Sequence, residues 1–407
     1  TQSTDPNFKN PTVLRANLGL ESGFGTDDGF FSGWNVKLDY IYSRFLNPLN
    51  FVDLAQTVNP NRGVNGFTVD GRPIFAAIDP LNTGCNAVLQ GTGGTPPVYT
   101  GVVPGDTCFN TGIDDFIQLT NGRDYDSHIA SFLLSKNFRG GLLTDGGGVG
   151  IRFGYAFTDS DNFRDVGSST ATSNFDRTAA FDRQNPANST SNFETRHNIT
   201  AAISFREEFF GDYQTKLGFF FRARSGRPYS LTFDGSGTFA DRSSGSDNAL
   251  LYVPTGIADP NLSPLSTAGA VQELIDYVGA SGCDFTPGQT IRRNTCSNPW
   301  SYDLDLRFSQ EIPGIGSLTG LANDRFEFFA DFDNLLNLID SNANRVIFRP
   351  SLVDVIDGNI DANGLYIIEE NNFDANDPYT FINPDDDQNI SISGSVWKIQ
   401  VGVRYEF

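Results

Sequence analysis

"SVWKIQVGVRYEF", residues 395–407, ends the chain and decides how the rest is read. In steps of two, Trp397, Ile399, Val401, Val403, Tyr405 and Phe407 share one side, all of it apolar or aromatic. Val396, Lys398, Gln400, Gly402, Arg404 and Glu406 share the other. A period of two marks a strand whose two faces meet different surroundings.

The alternation recurs upstream. Residues 12–21, "TVLRANLGLE", set Leu14, Ala16, Leu18 and Leu20 against Val13, Arg15, Asn17, Gly19 and Glu21. Residues 33–44, "GWNVKLDYIYSR", set Trp34, Val36, Leu38, Tyr40 and Tyr42 against Asn35, Lys37, Asp39, Ile41 and Ser43. Further segments follow at 127–138, 149–158, 197–206, 216–225, 301–310 and 325–334. That makes about nine strands of roughly ten residues, a length that crosses a bilayer at a tilt. Their connections alternate. Short ones fall near 23–32, 139–148, 207–214 and 311–324, and long ones at 45–126, 159–196, 226–299 and 338–393. Outer-membrane barrels sort their connections this way, with the long loops extracellular. The expected fold is therefore all-β, an antiparallel transmembrane β-barrel. Bacterial single-chain barrels close with an even number of strands. Residues 1–407 are thus expected to be the C-terminal portion of a wider barrel, completed by an upstream segment or a partner chain.

Composition agrees with a thin apolar shell. Aromatics reach 13% with 36 Phe, while the hydrophobic fraction is only 38%. No run of eighteen apolar residues offers a transmembrane helix. The formal charge of −21 argues against binding nucleic-acid backbone and suits cations or solubility. Met is absent and no signal peptide is visible, so the chain reads as a piece of a longer polypeptide.

Four cysteines form two close pairs in polar, Gly/Pro-rich stretches, Cys85 with Cys108 and Cys283 with Cys296. Two local disulfides and an oxidising compartment are expected. A four-Cys zinc site would want CxxC spacing, which is missing. "NIDANGLYIIEE", 359–370, places Asn359, Asp361, Asn363, Gly364 and Glu370 at the offsets of a calcium loop. A polar hairpin with Asx turns is the alternative there. Asp385, Asp386 and Asp387 form a weaker acidic cluster. Arg222 and Arg224 share a face with Asp303 and Asp305 of the next strand, which suits opposite charges on a wet interior wall. His128 and His197 sit at strand ends, where polar-tipped rings mark a membrane boundary. Asn334 and Asn337 stand where a strand leaves the membrane, and a turn is expected of them. "STAGAVQELIDYVGASG", 266–282, spaces Val271, Leu274, Ile275 and Val278 as one helix, a surface decoration or part of a lid. No nucleophile triad, phosphate loop or metal-binding His pair stands out, so no enzyme is expected.

In their order, several segments resemble one family. They are "DDFIQLTNGRDYDSHIASFLLSKNF" (114–138), "TSNFETRHNITAAISF" (190–205), "RSGRPYSLTF" (224–233), "ALLYVPTG" (249–256), "NPWSYDLDLRFSQEIPG" (298–314) and "RFEFFADFDNLLNLID" (325–340). With the terminal Phe strand, they resemble the C-terminal barrel region of TonB-dependent outer-membrane receptors, and most of all the Oar-like, OmpA-related subgroup. The resemblance covers most of the chain from about residue 115. It implies a barrel of about twenty-two strands in a Gram-negative outer membrane. It also implies an N-terminal plug, and a TonB box that couples to inner-membrane energy. Neither plug nor TonB box is found in residues 1–407. The resemblance further implies that Tyr405 and Phe407 serve as the signal read by outer-membrane assembly machinery. The expected function is a receptor or transporter for an unidentified ligand held by loops and plug. The alternative is a structural or assembly component of a surface or secretion complex. The expected partners are outer-membrane lipid and the TonB complex, and calcium is the one cofactor suggested.

Overall fold

The computed structural model describes residues 2–26, 30–90, 98–105, 107–109, 115–234, 238–239, 248–316, 324–369 and 389–407. The chain is mostly β, and its largest sheet has ten strands. Nine form an antiparallel meander in chain order: β1 (Thr12–Phe24), β2 (Trp34–Leu46), β3 (Tyr125–Arg139), β4 (Gly148–Asn162), β5 (His197–Phe210), β6 (Tyr213–Arg224), β7 (Ser301–Pro313), β8 (Arg325–Asp333) and β9 (Lys398–Glu406). The tenth, Ser189–Thr190, is a short strand paired with the end of β4. All nine segments read from alternation are strands, in the expected order. The sheet does not close on itself; β1 and β9 stand at its two edges.

The register fixes the two faces. One row across the sheet runs Leu20, Leu38, Phe132, Tyr155, Ile199, Ala223 and Tyr302. Another joins Ile151, Ile203, Phe219, Leu306, Phe332 and Ile399. Among the described residues no layer covers this apolar face, and Leu18, Phe153, Ile203 and Val401 are exposed on it. Lys136 departs from the pattern. It lies at the short-turn end, where its ammonium donates to the Phe30 carbonyl and packs 4.1 Å from the Phe138 ring centroid. A long stem on apolar surface with a polar head at its border explains that placement.

The opposite face carries ion pairs and small residues. Glu21 meets Lys37 at 3.0 Å, Lys216 meets Glu311 at 2.8 Å, Arg307 meets Asp331 at 3.1 Å and Arg404 meets Glu327 at 3.1 Å. Gly402 stands directly across from Phe329. A Cβ at 402 would meet that ring at 2.4 Å, so the glycine lets the aromatic lie flat on the neighbouring strand. The β5–β6 connection is a two-residue turn, Gly211 and Asp212, in which Gly211 takes φ +68.

The four long connections are not separate loops. A single hydrophobic core draws on Ile74 from the first, Ala179 from the second, Leu251 and Leu274 from the third, and Ile356 and Tyr366 from the fourth. Pro228–Asp234 pairs in parallel with Leu352–Asp357, which ties the third connection to the fourth. The expected helix spans Ala268–Ala280 and buries Val271, Leu274, Tyr277 and Val278 in that core. It is a packed element rather than surface decoration. No described helix is long and apolar enough to cross a membrane.

Candidate functional site

One buried cation organises the loop core. Arg72 is 1% exposed and surrounded by the rings of Phe181, Phe233, Phe239 and Tyr366, 5.0 to 6.0 Å from its guanidinium. Its Nε donates to the Tyr366 hydroxyl at 3.1 Å, and its Nη2 to the Leu250 carbonyl and Thr290 Oγ1. The Tyr366 hydroxyl in turn donates to Asp70. Tyr366 stacks on Tyr252 with centroids 4.5 Å apart. Burial raises the Tyr366 pKa, against the pull of Arg72 and with the help of Asp70, so the phenol keeps the proton it donates.

Beneath this assembly lies a cavity of about 660 Å³. Its floor is the upper end of the polar face, where Arg224 Nε donates to Ser301 Oγ at 3.0 Å. Its walls come from the second, third and fourth connections and include Arg177, Arg227, Phe348 and Arg349. Asn298 ties two of these walls together. Its Nδ2 donates to the Arg227 carbonyl at 2.9 Å and its Oδ1 accepts from the Arg349 amide at 2.6 Å. Gly226 makes the approach possible, because a Cβ there would fall 2.1 Å from the Asn298 carbonyl oxygen. The one acid in the wall, Asp165, accepts from Asn162, Asn192 and Arg293. The size suits a small organic ligand.

The residues singled out in the sequence fall into several places. Cys85–Cys108 and Cys283–Cys296 are both disulfides. Cys296 belongs to the main loop core, whereas Cys108 joins Ile78 and Ala87 in a smaller cluster. Arg222 and Asp303 stand directly opposite one another and form an ion pair at 3.6 Å. Arg224 and Asp305 share that face but not a partner. The register sets Arg224 across from Ser301 and Asp305 across from Phe220. Asp305 instead accepts from the Asn334 backbone amide at 2.9 Å.

Asn359–Ile360 and Tyr366–Ile367 form a tight hairpin. At its tip Asp361 accepts from the amides of Asn363 and Leu365 at 2.8 and 3.0 Å, an Asx turn. Gly364 takes φ +75 there and passes close to Phe67 and Thr68. Glu370, and with it Asp385, Asp386 and Asp387, lies outside the described residues. Among the described residues no group of three or more His, Cys, Asp or Glu could hold a metal ion.

His128 and His197 both lie at the long-loop end of the apolar face. His128 Nδ1 is 2.7 Å from the Tyr40 hydroxyl and His197 Nδ1 is 2.9 Å from that of Tyr155. His197 also stacks on Trp300. At the other end of the sheet Tyr405 packs against Phe326 and Phe407 and donates to Asp324 at 2.8 Å. Asn334 is a turn residue, as expected. It adopts φ +55, accepts from the Asn337 amide and donates to the Ser395 carbonyl. Of the cavity's arginines the sequence singles out Arg224 alone; the rest of the cavity and the Arg72 cluster carry no signal, because their residues come from distant loops without a shared period.

Comparison with known protein families, curated proteins and solved structures finds no match.

Proposed function

We propose that the chain is the C-terminal barrel portion of a TonB-dependent, Oar-like outer-membrane receptor that takes up a ligand through a loop-capped lumen. One observation carries the reading: the nine-strand meander has an uncovered apolar face bounded by aromatic rings at both ends. On β3, His128 and Phe138 mark those two ends. The roughly ten residues between them rise about 25 Å at the tilt usual in barrels, the height of an outer-membrane apolar band. The ion-paired opposite face fits a wet lumen, and the packed long connections fit an extracellular cap. The family's motif order supports the same assignment. On this reading Tyr405 and Phe407 are read by the assembly machinery, and strands from outside residues 1–407 complete a barrel of about twenty-two.

A second reading is favoured by the open edges at β1 and β9. Here another chain supplies the missing strands, and the complex has a surface or secretion role. Heat-modifiable migration of the protein purified in detergent tests the barrel. Ligand uptake in cells with and without TonB then separates the readings. Uptake that persists without TonB sinks the receptor reading, and co-purification of a strand-supplying chain favours the second.

A further inference from the structure

We infer that the cavity beneath the loop assembly binds a small organic anion with two or more negative groups and an apolar body. The inference deepens the receptor reading and rests on it.

Charge is the first argument. The chain has 49 acidic residues against 28 Lys and Arg, yet this cavity is lined by four arginines and one acid. Arg177, Arg224, Arg227 and Arg349 converge from three connections and the sheet. Asp165 does not balance them, because its carboxylate is already held by Arg293 and two asparagine amides.

Pairing is the second argument. Several cations of the polar face meet carboxylates, as in Arg222 with Asp303 and Arg307 with Asp331, while Arg15 at the sheet edge meets the Ser43 hydroxyl. The Arg177 and Arg227 guanidiniums have no ion-pair partner among the described residues. Arg224 donates to the Ser301 hydroxyl and makes no ion pair among the described residues; Asp303 attracts it at longer range, while Arg222 and Arg227 repel it. Guanidinium forks match carboxylate and phosphate oxygens in pairs, so those of Arg177, Arg224 and Arg227 around one space fit a ligand with more than one such group.

Rigidity is the third argument. Asn298 bridges the Arg227 and Arg349 backbones, which fixes the chain from which both side chains extend. A pre-formed site avoids ordering its side chains on binding. Phe193 and Phe348, both exposed apolar side chains in the wall, offer surface to the uncharged part of the ligand.

The test uses the full chain purified in detergent and isothermal titration with citrate, pyrophosphate, sucrose and spermidine. Citrate represents a polycarboxylate and pyrophosphate a phosphate source of the same chemistry. Saturable binding of at least one anion is expected, with none for sucrose or spermidine. The double variant Arg177→Ala, Arg227→Ala should weaken it about tenfold or more. Arg227→Lys should weaken it less, and Arg307→Ala, outside the cavity, should leave it unchanged. The inference is overturned if neither anion saturates by about 10 mM, weaker than any binding worth the name, or if the double variant binds as well as the parent. Heat-modifiable migration and β-type circular dichroism are recorded on every sample. A protein that shows both and binds no anion sinks the inference alone. A protein without heat-modifiable migration sinks the receptor reading, whatever it binds.

Discussion

The Tyr366 hydroxyl donates to both oxygens of Asp70, at 3.0 and 3.1 Å, and so joins the last long connection to the first. The same oxygen accepts from Arg72. Tyr366→Phe removes both roles at once and leaves buried polar groups short of a partner. The expected cost is about 1–3 kcal/mol, confined to the loop assembly. Arg72→Met should cost more, about 3–5 kcal/mol, because it strips the network of its cation. Hydrogen exchange should show faster loop amides and unchanged protection in β3 to β7. Equal loss of protection in the sheet would mean that loops and sheet are one cooperative unit.

Ile203 and Ser204 are neighbours that face opposite sides of β5. Ile203 lies between Ile151 and Phe219 on the apolar face, and Ser204 between Gly150 and Gly218 on the polar one. In a membrane, Ile203→Arg should cost about 2–4 kcal/mol near the midplane. Ser204→Arg has small neighbours and a wet surrounding, so it should assemble nearly as well as the parent. The yield of the heat-modifiable species reads both. Similar yields from the two variants would remove the case for a lipid-facing side.

Reduction should act on the loops and spare the sheet. Cys283–Cys296 closes a loop with a sequence separation of 13 within the main loop core. Its loss should cost about 3 kcal/mol by chain entropy. Limited proteolysis in reductant should therefore cut the third connection while the β signal persists. Cys85→Ser with Cys108→Ser should leave that connection resistant, since this bridge belongs to a separate cluster.

Asp259 gives the loops a pH dependence. Burial alone would raise its pKa, but the amides of Thr255 and Asn261 and the hydroxyls of Tyr252 and Thr255 outweigh it, and the net shift is downward. A lowered carboxyl stabilises the fold above the ordinary Asp value of about 3.9, and that stability is lost as pH falls through the lower folded value. Burial raises the carboxyls of Asp182 and Asp354, which push the other way. The comparison to make is thus between the parent and Asp259→Asn. The parent should lose loop stability as pH falls below the ordinary Asp value of about 3.9. The variant should start weaker at neutral pH and change less over that range. Parallel pH profiles would show that Asp259 carries no such linkage.

The meander was legible because each strand announces itself locally. A period of two needs no knowledge of partners, and even the Arg222–Asp303 pairing followed from faces and order. Register is not legible at that level, so the sequence places Arg224 and Asp305 on one face but not against their actual neighbours, Ser301 and the Asn334 amide. The loop assembly was hidden for a physical reason. Its contacts span up to 296 residues, as between Asp70 and Tyr366, and loop residues have no period to mark which side chains turn inward. Helical spacing found Ala268–Ala280, yet nothing in that segment says what its apolar side covers. At the calcium spacing of 359–370 the structure describes a tight hairpin, while Glu370 lies outside the described residues. Asp361 spends a carboxylate oxygen on its own turn.

The distance between Arg72 and Tyr366 along the chain also sets an order of events. Arg72 leaves the ribosome 294 residues ahead of the hydroxyl that satisfies it. Tyr366 enters just before β9, the last strand of the meander. The cap therefore cannot mature loop by loop as the strands are laid down. Its early pieces must wait, with a cation and aromatic rings unburied, until Tyr366 has arrived. Completion of the cluster is thus set by the placing of Tyr366, and any delay there prolongs the period in which the loop core can be cut or mispaired.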